Sequence, residues 1–447
     1  MQEQSLKLDE LEIQSIFGHE AAEDEDIDRL RQYYVKGRIY DHVASDLPLR
    51  ILVGHKGIGK SALFQVAMAE ESEAGRIAIL IRPDDVLDIN TDQNEFLAAI
   101  RDWKLGISEI IAAKVLAKVG SDGEGWRDQF RSFGGSVVGF LDETFKGKMP
   151  FSSVPAKRAF VEKFLEDQKI SIYIDDLDRG WQGRKQDIHR ISALLNAVRD
   201  LSTESRGLQF RISLRSDVYY LVRTSDESTD KTEGSVIWYT WTNHEIFALL
   251  VKRVESFFGR SIEDASLLEM HQRTLSKYLN PVIVERFEGR GHWENAPIYR
   301  VLLSLVRKRP RDLVKLLTLS ARAARDDGAS KIHTKHLEQS FEEYSQGRLQ
   351  DTVNEFRSEL PDIERLLISM KPKAQKGTTK ESYIYSTDEL LKKIREIQSQ
   401  GAFRFASGRE ATAKDLAAFM YKINFLTARK DEDGRIIRKY YEENRYL

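Results

Sequence analysis

Gly54-His55-Lys56-Gly57-Ile58-Gly59-Lys60-Ser61 is the stretch that decides the reading of this chain. The pattern Gly-x-x-x-x-Gly-Lys-Ser puts glycines where backbone N–H groups must approach phosphate oxygens with no Cβ in the way. Lys60 brings a point charge to the β- and γ-phosphates, and Ser61 a hydroxyl suited to Mg²⁺. The flanks supply the setting such a loop needs. Leu49-Arg50-Ile51-Leu52-Val53 is a short apolar run that reads as a buried strand. Ser61 to about Ala74 reads as a helix, with Leu63, Val66 and Ala67 on one face and Gly75 as its stop. The positive end of that helix dipole adds to the site. The expected ligand is a nucleoside triphosphate with Mg²⁺, held by Gly54, Lys56, Gly57, Ile58, Gly59, Lys60, Ser61 and Ala62.

A second motif supports the first. Ile170–Ile174 is a hydrophobic run that ends in Asp175-Asp176. A strand there delivers two carboxylates to its C-terminal edge, where open parallel sheets place ligands. Asp175 is expected to hold Mg²⁺ with Ser61, and Asp176 to polarise the attacking water, a role more often taken by Glu. Further apolar runs at 76–82, 209–214 and 236–240 read as strands. Helical segments lie between them, so the sheet is expected to be parallel with crossover helices. About 115 residues and one further strand separate the two motifs, which fits a sheet with another strand between the motif strands. At the end of the fourth run, Ser213 or Ser216 is placed to sense the γ-phosphate. Arg215 and Arg179 are candidates for an arginine finger; equally, each has an aspartate neighbour to pair with, Asp217 or Asp178.

Outward from the motifs, 447 residues imply two or three domains. The division read here is an acidic N-terminal leader and helix at 1–46, a nucleotide-binding core at 47–242 with a mainly helical insertion at about 94–168, a helical lid at 243–370, and a compact α+β tail at 383–447 behind a basic, polar linker. Residues 1–46 hold 12 Asp/Glu against 5 Lys/Arg, and residues 371–447 hold 17 Lys/Arg against 11 Asp/Glu. The two ends are thus either surfaces for different partners or two solvated faces. There are no cysteines, which excludes disulfides, thiol catalysis and Cys-based zinc sites. No run approaches the roughly 18–20 apolar residues of a membrane span, and Met1–Ser5 lacks the features of a signal peptide. A cytoplasmic location is expected.

Together these motifs resemble the AAA+ and STAND-like branch of P-loop ATPases. The phosphate loop, Ile-Asp-Asp-Leu-Asp-Arg at 174–179 and Ser-Leu-Arg-Ser-Asp at 213–217 carry the likeness. So does Arg307-Lys308-Arg309-Pro310-Arg311-Asp312-Leu313, which looks like the start of that branch's sensor-2 helix. The resemblance implies a five-stranded sheet, a helical lid over the nucleotide and a sensor role for Arg311. More narrowly, Ile16-Phe17-Gly18, Ala21-Ala22-Glu23, Tyr33-Tyr34-Val35 and Asp-Asp-Leu-Asp-Arg-Gly-Trp at 175–181 look like FunZ-like bacterial ATPases. Genes of that group often sit beside mobile elements and defence genes. The Asp-Asp-Leu-Asp-Arg stretch is also similar to KAP-type ATPases, but their inserted membrane helices have no counterpart in 94–168.

In the tail, Ser386-Thr387-Asp388-Glu389 is a capping-box pattern that opens a helix. A second helix follows Thr412, and residues 425–441 read as a hairpin turning at Asp433-Gly434. Helix, helix, hairpin resembles a winged helix. Lys414, Lys422, Arg435 and Arg438 are its candidate contacts to DNA or RNA; the alternative is a basic domain that docks on protein. ATP is preferred over GTP because no Asn/Thr-Lys-x-Asp motif is present. Tyr40 has a core role or stacks on the base. Three functions compete: an oligomerising ATP switch that controls an effector such as a nuclease in anti-phage defence, a DNA-acting ATPase such as an initiator or transposition regulator, and a scaffold that holds nucleotide without hydrolysis.

Overall fold

In the computed structural model the described residues are 6–89, 95–120, 169–225, 227–291, 293–372, 383–432 and 435–441. Three short helices, α1 (Glu10–Phe17), α2 (Ile27–Tyr33) and α3 (Arg38–Ala44), precede the sheet. Then β1 (Leu49–Gly54), α4 (Lys60–Glu73), β2 (Ile77–Ile81), α5 (Phe96–Gly120), β3 (Ile170–Ile174), α6 (Lys185–Glu204), β4 (Leu208–Arg215), α7 (Ser216–Ser225) and β5 (Val236–Trp238) alternate. All five strands pair in parallel, in the order β2-β3-β4-β1-β5. The expected strand between the two motif strands is therefore present, and it is β4. Of the helical insertion expected at 94–168, α5 covers the start; residues 121–168 lie outside the described residues.

The strands read as apolar runs because both faces are covered. Leu49, Ile51 and Val53 face α5 and α6, along with Ile170, Ile172, Phe210 and Ile212. Leu52, Ala78 and Tyr173 face Leu63 and Phe64 of α4. Right-handed crossovers explain this division. The step from β1 to β2 runs one way and puts α4 on one face. The return through β3 and β4 runs the other way and puts α5 and α6 on the opposite face. β1 leads into α4 on one face while its neighbour β4 leads into α7 on the other, so the crevice beyond the C-terminal ends of β1 and β4 is the natural ligand site.

The helical lid follows: α8 (Asn243–Phe257), α9 (Asp264–Glu269), α10 (Gln272–Lys277), α11 (Ile298–Leu305), α12 (Pro310–Asp326) and α13 (Thr334–Phe356). Thr242 and Glu245 form the capping box that starts α8. Pro310 opens α12, where a missing N–H is harmless and its ring forces Arg309 into an extended conformation. α9 and α10 are separate helices because Met270 and His271 are extended and the His271 ring accepts from Arg273 N at 3.2 Å.

The N-terminal stretch differs from a polar leader. Leu6, Leu8, Ile13, Ile16 and Phe17 are buried, and α1 packs on α8 and α12. Burying three such side chains from one helix contributes on the order of 1.5–3 kcal/mol each. Glu10 pairs with Arg322 at 2.9 Å and Arg325 at 2.6 Å. Part of the acidic head is thus neutralised within the chain.

The C-terminal region contains α14 (Ile363–Ser369), α15 (Thr387–Gln398), α16 (Ala413–Lys422) and an antiparallel hairpin of β6 (Ala428–Glu432) and β7 (Arg435–Lys439). Ser386 and Glu389 form the expected capping box. The turn at Asp433-Gly434 and most of the linker, 373–382, lie outside the described residues. One apolar core joins Ile394, Phe403, Leu416 and Phe419 to Val353, Phe356, Ile363 and Leu366. By packing, the tail begins inside α13 rather than at 383. Among the described residues no helix is long and apolar enough to cross a membrane.

Candidate nucleotide site

The phosphate loop leaves β1 at Gly54 and enters α4 at Lys60. Gly57 and Gly59 have φ of 77° and 103°, which favours glycine at both positions. A Cβ on Gly57 would also lie 3.1 Å from the Arg311 Cβ. The Lys60 ammonium donates to the carbonyls of Gly54 at 2.9 Å and His55 at 3.2 Å. Burial lowers its pKa, and the carboxylates of Asp178, Asp175 and Glu355 act against that. A partly buried cation above a backbone cradle is a fitting receptor for a polyphosphate.

Around the loop lies a cavity of about 570 Å³, a usual size for a small-molecule site. Its walls include Lys56, Gly57, Gly59, Lys60, Ser61, Ala62, Asp175, Asp176, Asp178, Arg179, Ser213, Arg215 and Arg311. Asp175 accepts from the Ser213 hydroxyl and, at 3.1 Å, from Asp176 N. Ser61 and Asp175 line one cavity, and their hydroxyl and carboxylate oxygens are the hard donors that suit Mg²⁺. Asp176 has φ of 60° and a half-exposed side chain that pairs with Arg179 at 2.9 Å. Burial raises its pKa; Arg179 opposes this, and Asp178 and Asp175 reinforce it.

The arginines divide by surroundings. Arg215 pairs with Asp217 at 2.7 Å and donates to the Glu355 carbonyl at 2.8 Å, so it is held within its own subunit. Arg179 is largely exposed. Arg311 covers the loop: its N–H donates to Gly57 O at 3.4 Å and its Nε to Glu20 O at 3.1 Å. Ser213 lines the cavity, whereas the Ser216 hydroxyl lies 3.1 Å from His55 Nδ1. Tyr40 has the core role, bonded to Glu70 and packed on Tyr34.

Two groups of site residues escaped the sequence reading. His19–Glu23, Leu30, Tyr33, Tyr34, Tyr239, Trp241 and Leu249 also line the cavity. Tyr34 and Tyr239 meet hydroxyl to hydroxyl at 3.1 Å, and Trp241 Nε1 donates to Ile58 O at 2.7 Å. The double aromatic at 33–34 was the available signal. Glu355, near the end of α13, accepts from Lys56 N at 3.3 Å and Arg309 at 3.3 Å. Its burial favours a raised pKa, yet Arg309, His55, Arg215 and the Lys56 amide outweigh this and hold it at about 2. A glutamate on a long polar helix gives no such signal in sequence.

In the tail, Lys414 is exposed. Lys422 is partly buried and pairs with Glu359 at 3.0 Å, a residue just beyond α13. Arg435 and Arg438 lie on β7, and their side chains are outside the described residues.

Sheet, loop and lid define a P-loop protein with an AAA+-like fold. Residues 244–353 match the model of the FunZ-associated C-terminal helical domain. That match agrees with the FunZ-like resemblance read from its motifs. It is also similar to the "putative transposon gamma-delta 80.3 kDa protein" of Escherichia coli (strain K12), with 24% identity over 295 residues, 63% of this chain and 39% of that protein. The chain thus spans well under half the length of that relative. Among solved structures it is similar to the Aeropyrum pernix ORC2 protein (TM-score 0.39, 10% identity, 88% of this chain and 83% of that one). The Thermotoga maritima RuvB Holliday junction branch migration motor matches with TM-score 0.36, 12% identity, 88% of this chain and 99% of that one.

Proposed function

We propose that the chain is an Mg²⁺-dependent ATPase that works as a switch, with nucleotide read jointly by core and lid. One observation carries this: Arg311 and Glu355, from two lid helices, both touch the phosphate loop. In this reading Lys60 and the loop amides hold the phosphates. Ser61 and Asp175 would hold Mg²⁺, which would supply charge neutralisation there. Ser213 orients Asp175, Asp176 takes the hydrogen bond of the attacking water, and Arg311 senses the terminal phosphate. Arg215 acts within the subunit. Arg179, exposed, is the arginine that a neighbouring subunit would meet in a homo-oligomer. The switch governs an effector such as a nuclease, in the defence setting that the resemblance implies.

The test is ATP binding and turnover with sizing, for the native chain, Lys60→Ala and Asp176→Asn. The reading expects Lys60→Ala to lose binding, and Asp176→Asn to keep it while losing turnover. Unchanged binding and turnover in Lys60→Ala would sink it. A second reading, a DNA-acting ATPase, is favoured by the exposed Lys414 on α16, the helix that precedes a hairpin of basic sequence. Turnover stimulated by DNA in low salt, and lost in Lys414→Glu, would select it.

A further inference from the structure

The phosphate loop has a contact outside both core and lid. His55, its second residue, is buried, and its ring lies between two side chains. Nδ1 is 3.1 Å from the Ser216 hydroxyl, and Nε2 is 3.2 Å from Asn424 Nδ2. Asn424 follows α16 in the C-terminal domain. Its amide orientation is fixed independently, because Oδ1 accepts from Tyr441 N at 3.2 Å. The nitrogen must then face His55, so Nε2 accepts and Nδ1 carries the proton toward Ser216 or Glu355, whose Oε1 lies at 3.9 Å.

A second contact joins the tail to the lid. Lys308 stands 4.8 Å over the Tyr440 ring, three residues before the loop-covering Arg311. Arg307, Lys308 and Asn424 have φ of 45°, 57° and 57°. For Arg307 and Lys308 such conformations are uncommon and mark a backbone held by its surroundings, whereas Asn424 is of a type that tolerates them, just past the end of α16; all three line one cavity.

We propose that Asn424 is a positioning residue for the phosphate loop: through His55 it makes the docked C-terminal domain part of the nucleotide site, so that nucleotide binding and tail docking are linked. The proposal rests on the nucleotide reading of the loop. The linkage is reciprocal: whatever the tail does to nucleotide affinity, nucleotide does to tail docking by the same factor.

The experiment uses the full chain, a fluorescent ATP analogue with Mg²⁺, and hydrogen–deuterium exchange of residues 413–432. Asn424→Gly is the informative variant, since glycine keeps the positive φ while removing the amide. In the native chain, nucleotide should change exchange of α16 and β6 by at least about threefold. In Asn424→Gly this response should vanish, and Kd should shift by at least about fivefold. His55→Ala should do the same, and the double variant no more than either single one. A native Kd with an intact exchange response in Asn424→Gly overturns the proposal, as do additive effects in the cycle. If Asn424→Gly unfolds, His55→Ala removes the same contact from the loop side, and a native exchange response there overturns the proposal equally. Lys60→Ala separates the two claims: if it still binds the analogue, the reading of the loop fails, whatever Asn424 does.

Discussion

Asp176 shows how one residue can be tuned by its backbone. Aspartate and asparagine tolerate a positive φ better than most side chains, so Asp176→Asn removes the charge without new strain. Alanine would confuse the two. We expect Asp176→Asn to retain ATP affinity and lose turnover by about 10²–10⁴-fold, checked by single-turnover hydrolysis. Because its pKa is raised, the acid limb of turnover should lie above the ordinary aspartate range. The same shift has a stability sign. A carboxylate raised on folding favours the folded state below its unfolded pKa, and that contribution is lost as pH rises through the folded value. Asp176→Asn should therefore be no less stable than the native chain at neutral pH, which thermal unfolding would check. Glu355 has the opposite sign. Held at about 2 against an ordinary 4.5, it adds stability above pH 4.5 that is lost as pH falls toward 2. Glu355→Gln removes the buried carboxylate that Arg309, His55 and Arg215 face. At neutral pH this should destabilise the lid by roughly 3 kcal/mol, with a flatter acid unfolding profile between those values.

At the level of elements, what could be read from sequence follows from burial. β1 to β4 are covered on both faces and appear as unbroken apolar runs, so their bounds fell within a residue or two. α8 and α12 announce their starts through Thr242 and Pro310. α1 was not legible because it is eight residues long and buries only Ile13, Ile16 and Phe17. The break between α9 and α10 was hidden because the apolar spacing continues through Met270. The phosphate loop could be read in full. Its lid partners could be read only where a motif marked them: Arg311 was found, whereas Glu355 needs the fold to bring it some 300 residues back to Lys56. At this scale Gly57→Ala is decisive. It meets both a positive φ and the Arg311 side chain, so it should abolish ATP binding with little change in the far-UV spectrum.

Across the whole molecule the C-terminal core is shared with the end of the lid. A chain cut at 382 would uncover Val353, Phe356, Ile363 and Leu366. It should aggregate and bind hydrophobic dyes, so truncation is a poor test of DNA contact. Charge reversal at Lys414 is the sharper one: Lys414→Glu should weaken DNA binding and reduce its salt slope by about one ion, measured by titration at several salt concentrations. Lys422→Glu should act instead through its lost pairing with Glu359, lowering thermal stability whether or not DNA is present.

α13 passes through all of this as a single rod. Its 23 residues span about 35 Å. One end lies along α12 in the lid, and the other enters the tail core with Glu355 against the loop. A rod of that length is a lever: turning it by about 10° at the lid moves its far end by about 6 Å. That is roughly twice the length of the hydrogen bonds at the junction, so a modest tilt of the lid would be enough to part loop from tail.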